Sequence, residues 1–228
     1  MNQYTETYKL VTGPIEMRGN DSWLSEFQQL DIMGTMAGTY YGIRKNLWYS
    51  ANAANMIFDK SLYLDFQQQF KTHHASGDDM FLIQWAAKND FPVGFVRHPK
   101  AIVTTEVEND FDSFWQQRLR WASKTKSYTE KGLIKLMAGV WLFNLSILLN
   151  CVLLVFLGAG FLKLALLQVG IKYFCDLQFF KSVGVFFNKE ISSLRTLILS
   201  ILHTVYIVAI GITTPFVATY NWKGRKER

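Results

Sequence analysis

Two groups of residues have the types and the spacing to do chemistry. The first is Ser76-Gly77-Asp78-Asp79, which precedes a helical pattern. Adjacent carboxylates repel one another while nearby amides hold them apart in pKa, so one of the pair can serve as a general base or a metal ligand. The same string also reads as a helix start, with Ser76 or Asp78 accepting hydrogen bonds from the first-turn amides. The second group is Gln117, Arg120 and Trp121, whose i, i+3, i+4 relation puts them on one helix face. A guanidinium suits a phosphate and an indole face suits a sugar ring. The competing reading is a solvated polar face carrying a stray aromatic. His73 and His74 come just before the acidic pair, but adjacent imidazoles diverge and a shared metal is not expected. Asp110-Phe111-Asp112 directly precedes a helix and reads as an N-cap, and His98 and His203 read as structural.

The elements that must position these groups mix α and β. Leu10 to Met17 (LVTGPIEM) has the β-branched start and Gly-Pro stop of a short strand. Trp23 to Met36 places Trp23, Phe27, Leu30 and Met33 at helical spacing. Asp79 to Lys88 predicts a second helix, with acid in its first turn and a base in its last. Phe91 to Val107 predicts two short strands around His98-Pro99. In the helix that begins near Asp112, Phe111, Trp115, Leu119 and Ala122 predict the core-facing stripe, which puts Gln117, Arg120 and Trp121 on the opposite side.

Composition changes sharply along the 228 residues: 1–132 are a water-soluble mixture, whereas 133–222 are dominated by Leu, Val, Ile and Phe. With 50% hydrophobic and 18% charged residues, intrinsic disorder and collagen-like classes are excluded. Spans are expected at about 133–158, 161–180 and 196–220, followed by a basic tail at 223–228. The middle segment carries Lys172 and Asp176, four residues apart and able to neutralise each other. The net charge of +6 is concentrated beside the apolar runs, at Lys124, Lys126, Lys131 and Lys135 and again at Lys223, Arg225, Lys226 and Arg228. That distribution points to an anionic bilayer rather than to nucleic acid. Cys151 and Cys175 lie in apolar stretches with no metal-like or disulfide-like spacing.

Gly77-Asp78-Asp79, followed by Gln117-Arg118-Leu119-Arg120-Trp121, resembles the acidic motif and the Q-x-x-R-W motif of processive family 2 glycosyltransferases. These are the membrane enzymes that include cellulose, hyaluronan, chitin and poly-N-acetylglucosamine synthases. Asn52-Ala53-Ala54-Asn55 before Phe58-Asp59-Lys60 is similar to a further stretch of bacterial relatives. The resemblance covers the whole chain. It implies an α/β fold: part of a GT-A domain, of the nucleotide-diphospho-sugar transferase kind, followed by an all-α transmembrane region.

The resemblance also implies roles. Asp79 is the general base that takes the acceptor hydroxyl's proton during inverting attack, supported by Asp78. Gln117, Arg118 and Arg120 lie against the donor diphosphate, Trp121 stacks on the acceptor sugar, and Asn52 and Asn55 shape the acceptor pocket. Expected partners are a nucleotide-sugar donor such as a UDP-sugar, a glycan or lipid-linked acceptor, and the cytoplasmic face of the cell (inner) membrane. Such enzymes begin with a nucleotide-binding half whose Asp-x-Asp motif holds Mg²⁺ or Mn²⁺ on the diphosphate. This chain is expected to lack that half and its metal ligands, so that it binds nucleotide sugar poorly alone. The alternative function is a catalytically inactive membrane remnant or interaction module.

Overall fold

A computed structural model describes residues 7–69, 78–216, 220–222 and 225–227. The chain is mostly helical with small sheets, and forms two compact units. One is built on Met1–Phe114 and Lys124–Ile134, the other on Trp115–Ser123 and Lys135–Lys226. Trp115–Ser123 thus groups with the apolar helices, although the sequence places it in the water-soluble half.

In the first unit, strand β1 (Leu10–Thr12) stands between β3 (Met56–Phe58), antiparallel to it, and β4 (Val93–Phe95), parallel to it. The Gly-Pro stop predicted after Leu10 is instead a break between two strands. Past Gly13-Pro14, β2 (Ile15–Arg18) leaves the first sheet and pairs in parallel with β5 (Val103–Glu106). Proline removes a ladder donor there. A Cβ at Gly13 would lie 2.5 Å from the Asn55 amide nitrogen, so the break also needs glycine.

Helix α1 (Trp23–Lys45) runs well past the predicted Met36. Ser22 caps its start by accepting from the Ser25 N–H, Arg44 and Lys45 complement its C-terminal dipole, and Asn46 ends it in the left-handed region. Phe27, Leu30 and Met33 are buried as their spacing requires, whereas Trp23 is exposed. Gln28 is fully buried on the same helix. Its amide donates to the Glu108 carbonyl at 2.9 Å and its oxygen accepts from the Glu108 N–H at 3.0 Å. Helices α2 (Lys60–Gln69) and α3 (Asp78–Lys88) pack around Leu62, Phe66, Phe81, Leu82 and Ile83, which close over Leu10 of β1.

Helix α4 (Phe111–Ser123) begins where Asp110 accepts from the Ser113 N–H and hydroxyl, both at 2.8 Å, the predicted N-cap. Its predicted core stripe is out of phase. Of the predicted residues only Leu119 is buried; Phe111 is 52% exposed, Trp115 and Ala122 are half-buried, and Phe114 and Arg118 are buried in their place. Aromatics at 111, 114, 115 and 121 permit more than one helical stripe. The one realised is anchored by Phe114, packed edge-on against Phe27 at 5.9 Å. Gln117, Arg120 and Trp121 are consequently half-buried and do not form an exposed face.

Helix α5 (Lys131–Leu157), which belongs to the second unit from Lys135 onward, is separated from α6 (Ala159–Phe187) by Gly158 alone, at φ 91°, and α7 (Ser193–Thr213) follows. Two helices among the described residues are long and apolar enough to cross a membrane, Lys131–Leu157 and Ser193–Phe216. The segment expected to span at 161–180 is part of the single 29-residue α6, which carries Lys163, Lys172, Asp176 and Lys181. The last apolar helix stops short of the predicted residue 220, because Pro215 cannot continue it beyond a short 3₁₀ turn at Thr214–Phe216. Part of the expected basic tail, Arg225–Glu227, pairs as a strand (β7) with Tyr220–Trp222 (β6).

Polar groups connect these helices. The Asn150 amide donates to Gln168 at 2.7 Å, and Gln168 donates to the Ser146 hydroxyl at 2.9 Å. Asp176 accepts from Lys172 and from Ser200, both at 2.5 Å, which realises the predicted neutralising pair and extends it to α7. The Trp141 indole donates to the Val208 carbonyl at 3.4 Å and occupies the space where Gly211 has no side chain. Asn144, Lys172, Thr196, Ser200 and Thr204 are buried while Val155, Phe156, Leu166, Leu167, Phe174 and Val185 are exposed.

Candidate functional site

The acidic pair opens α3. Ser76 and Gly77, like His73 and His74, lie outside the described residues. Asp78 is exposed, whereas Asp79 turns toward the segment before β3. Its Oδ2 accepts from the Ala53 N–H at 2.9 Å and its Oδ1 from the Met80 N–H at 2.8 Å. Ala51 N–H points at the Met80 sulfur, 3.4 Å away, so residues 51–53 lie along the first turn of α3.

Burial pushes the Asp79 carboxyl above the usual carboxylate range, and the Asp78 charge adds to the effect; the hydrogen bonds from Ala53 and Met80 only partly offset it. A carboxylate so destabilised is a better proton acceptor than a solvated one. Tyr128 lies within electrostatic reach of Asp79. Burial, and then the Asp79 charge, push its phenol well above its ordinary value, so it stays neutral. Tyr128 is held edge-on against Phe81 at 6.2 Å, and the next residue's N–H donates to Gln84 at 3.2 Å. The sequence held one hint of this, a glutamine within the apolar run FLIQW of α3.

The two asparagines differ. Asn52 caps the 3₁₀ turn Ala53–Asn55 by accepting from the Ala54 N–H at 3.0 Å, which aims the Ala53 N–H at Asp79. The Asn55 amide donates to the carbonyls of Pro14 and Ala101, both at 2.8 Å, and its own carbonyl accepts from Gly13 and Thr12. Asn55 therefore fastens three segments together, a framework part that the acceptor-pocket expectation did not include. Asp79, Asn52 and Asn55 are brought into one neighbourhood.

Gln117, Arg118, Arg120 and Trp121 belong to the second unit. Arg118 is 2% exposed and its guanidinium lies 4.2 Å over the Trp121 ring, so one indole face is occupied by a cation rather than open for stacking. The Arg120 carbonyl accepts from the Ser123 hydroxyl at 2.9 Å, within the last turn of α4. Lys124, counted above among the membrane-flanking cations, is buried, which leaves Lys126, Lys131 and Lys135 exposed.

Among the described residues no group of three or more His, Cys, Asp or Glu side chains could hold a metal ion. The described residues do not fit a Mg²⁺ or Mn²⁺ site. No protein-family model matches the chain, and no curated protein matches it.

Proposed function

We propose that this chain is the acceptor-side part of an inverting, membrane-bound glycosyltransferase. The observation that carries the reading is Asp79, a half-buried carboxylate at a helix start whose proton affinity is raised by burial. In the proposed reaction Asp79 accepts the proton of an acceptor hydroxyl as that oxygen attacks the anomeric carbon of the donor sugar. The bond to the nucleoside diphosphate breaks on the opposite face, inverting the centre. The backbone N–H groups of Ala53 and Met80 hold the carboxylate in place, and Asn52 fixes Ala53. The Q-x-x-R-W resemblance assigns the half-buried Gln117 and Arg120 of α4 to the leaving diphosphate, where a cationic donor stabilises developing negative charge, whereas the buried Arg118 serves to hold Trp121.

The order of the two motifs along the chain supports this reading, as do the long apolar helices with polar groups turned inward. Buried hydrogen-bonded polar groups under an apolar exterior suit a hydrocarbon solvent. The first unit then lies on the cytosolic side of the cell membrane, where nucleotide sugars are made.

The test is incorporation of sugar from labelled UDP-sugars into membrane glycan or lipid, using membranes of cells that carry the native gene. Editing the gene to Asp79→Asn should abolish incorporation. Equal incorporation in both membranes would remove Asp79 from the reaction.

A further inference from the structure

A polar cleft opens in the first unit beside β4, and Asp79 is not among its lining residues. It has a volume of about 660 Å³, and its walls include Tyr8, Tyr40, Arg44, Tyr49, Phe95 and Arg97. Two guanidiniums are drawn to one ring there: Arg44 lies 5.7 Å and Arg97 5.2 Å from the centre of Tyr40. Arg44 also donates to the Tyr40 hydroxyl, and Phe95 steadies the ring edge-on at 5.5 Å. Arg44 and Arg97 are exposed at the rim. Asp90, held in the left-handed region, is the one carboxylate among the lining residues.

We propose that this cleft is a binding site for a phosphate-class anion held between Arg44 and Arg97. Two like charges gathered on a single ring repel, and an anion between them turns that repulsion into attraction. A guanidinium held against an aromatic ring is pre-oriented, so less freedom is lost when its N–H edge grips a phosphate with paired hydrogen bonds. The positive field is visible on Tyr40 itself. Although burial pushes its phenol up, the hydrogen bond from Arg44 and the two guanidinium charges hold it below its ordinary value. The volume lies within the range that small-molecule sites occupy, larger than inorganic phosphate alone needs. Such an anion can come from a soluble phosphate ester or from a phospholipid headgroup, since the same chain carries helices able to cross a membrane.

Calorimetry on the full chain in detergent, at fixed ionic strength, separates these sources. One arm titrates pyrophosphate; the other titrates dihexanoyl phosphatidic acid below its micellar concentration, with dihexanoyl phosphatidylcholine as reference. Saturable binding is expected in at least one arm, weakened at least about tenfold by Arg44→Gln and by Arg97→Gln, as loss of a charge-assisted pair predicts. Arg97→Lys keeps the charge but loses the fork, and should fall between. Both arginines are exposed, so an unchanged thermal midpoint will verify that the variants fold. Binding of pyrophosphate identifies the soluble source, and preference for phosphatidic acid over phosphatidylcholine identifies the headgroup. Absence of saturable binding in both arms, or wild-type affinity in either Gln variant, would overturn the proposal.

Discussion

Asp79 receives the backbone N–H of Ala53 at 2.9 Å, so the residue assigned as base is steadied by a turn 26 residues earlier in the chain. The bond ties the protonation of Asp79 to the integrity of that turn. In the wild type, the Asp79 carboxyl has a higher pKa folded than unfolded. The folded state therefore binds the proton more tightly, and this term stabilises the fold at low pH and is lost as pH rises from the ordinary carboxylate range through the raised value. We expect the stability difference, wild type minus Asp79→Asn, to decrease across that window in urea titrations at a series of pH values. A flat difference would show that burial of Asp79 carries no cost.

In sugar transfer, Asp79→Asn should lower the rate about 10²-fold to 10⁴-fold, the usual cost of losing a general base, with donor binding nearly intact. Retention of more than about a tenth of the wild-type rate at saturating donor would assign the base elsewhere.

Arg120→Lys replaces a planar fork with a point charge. We expect a lower transfer rate together with weaker inhibition by the nucleoside diphosphate product. Inhibition that stays at the wild-type level excludes Arg120 from the diphosphate site.

Asn55→Ala removes the donors to Pro14 and Ala101 and leaves two carbonyls of a part-buried cluster without them. Stability should fall by about 1–3 kcal/mol in chemical denaturation, and Asn55→Asp should fall further as pH rises, because a carboxylate repels both carbonyls.

Asp176→Ala strands the buried Lys172 ammonium, and the cost should be about 3–5 kcal/mol. Replacing both residues, Lys172→Met with Asp176→Leu, should cost less than the single change. Thermal midpoints in detergent that rank the other way would show that Lys172 reaches solvent.

Span number is checked by an exposed site between α6 and α7. With Cys151 and Cys175 replaced by Ser, Glu190→Cys should react with an impermeant thiol reagent only after cells are opened, if three helices cross. Labelling of intact cells would require α6 to stay out of the bilayer.

Local chemistry in the sequence announced much of this architecture. The acid-to-base polarity of α3 marked its ends within a residue, and the punctuation at His98-Pro99 separated β4 from β5. The phase of α4 was not legible, since four aromatics in eleven positions leave the buried stripe to be decided by Phe27, which lies far away in sequence. The framework bonds of Asn55 and the place of Tyr128 beside α3 were hidden for the same reason. Their partners, Pro14 and Ala101 in one case and Phe81 in the other, are neighbours only after folding.

Gly158 also acts as a depth gauge. With a single residue at the reversal there is no slack, so α5 must end and α6 begin at one level of any layer they share. At about 1.5 Å per residue, Asn150 and Gln168 lie about 12 and 15 Å from that level along their helices, near the middle of a hydrocarbon layer about 30 Å thick. Lys172 and Asp176 lie about 21 and 27 Å from it, approaching the opposite boundary. In a three-span arrangement the uncharged amides thus meet at the driest depth, bonded to each other, while the ion pair sits toward the headgroups. The charge that makes α6 the least apolar of the three helices is placed where a bilayer penalises it least.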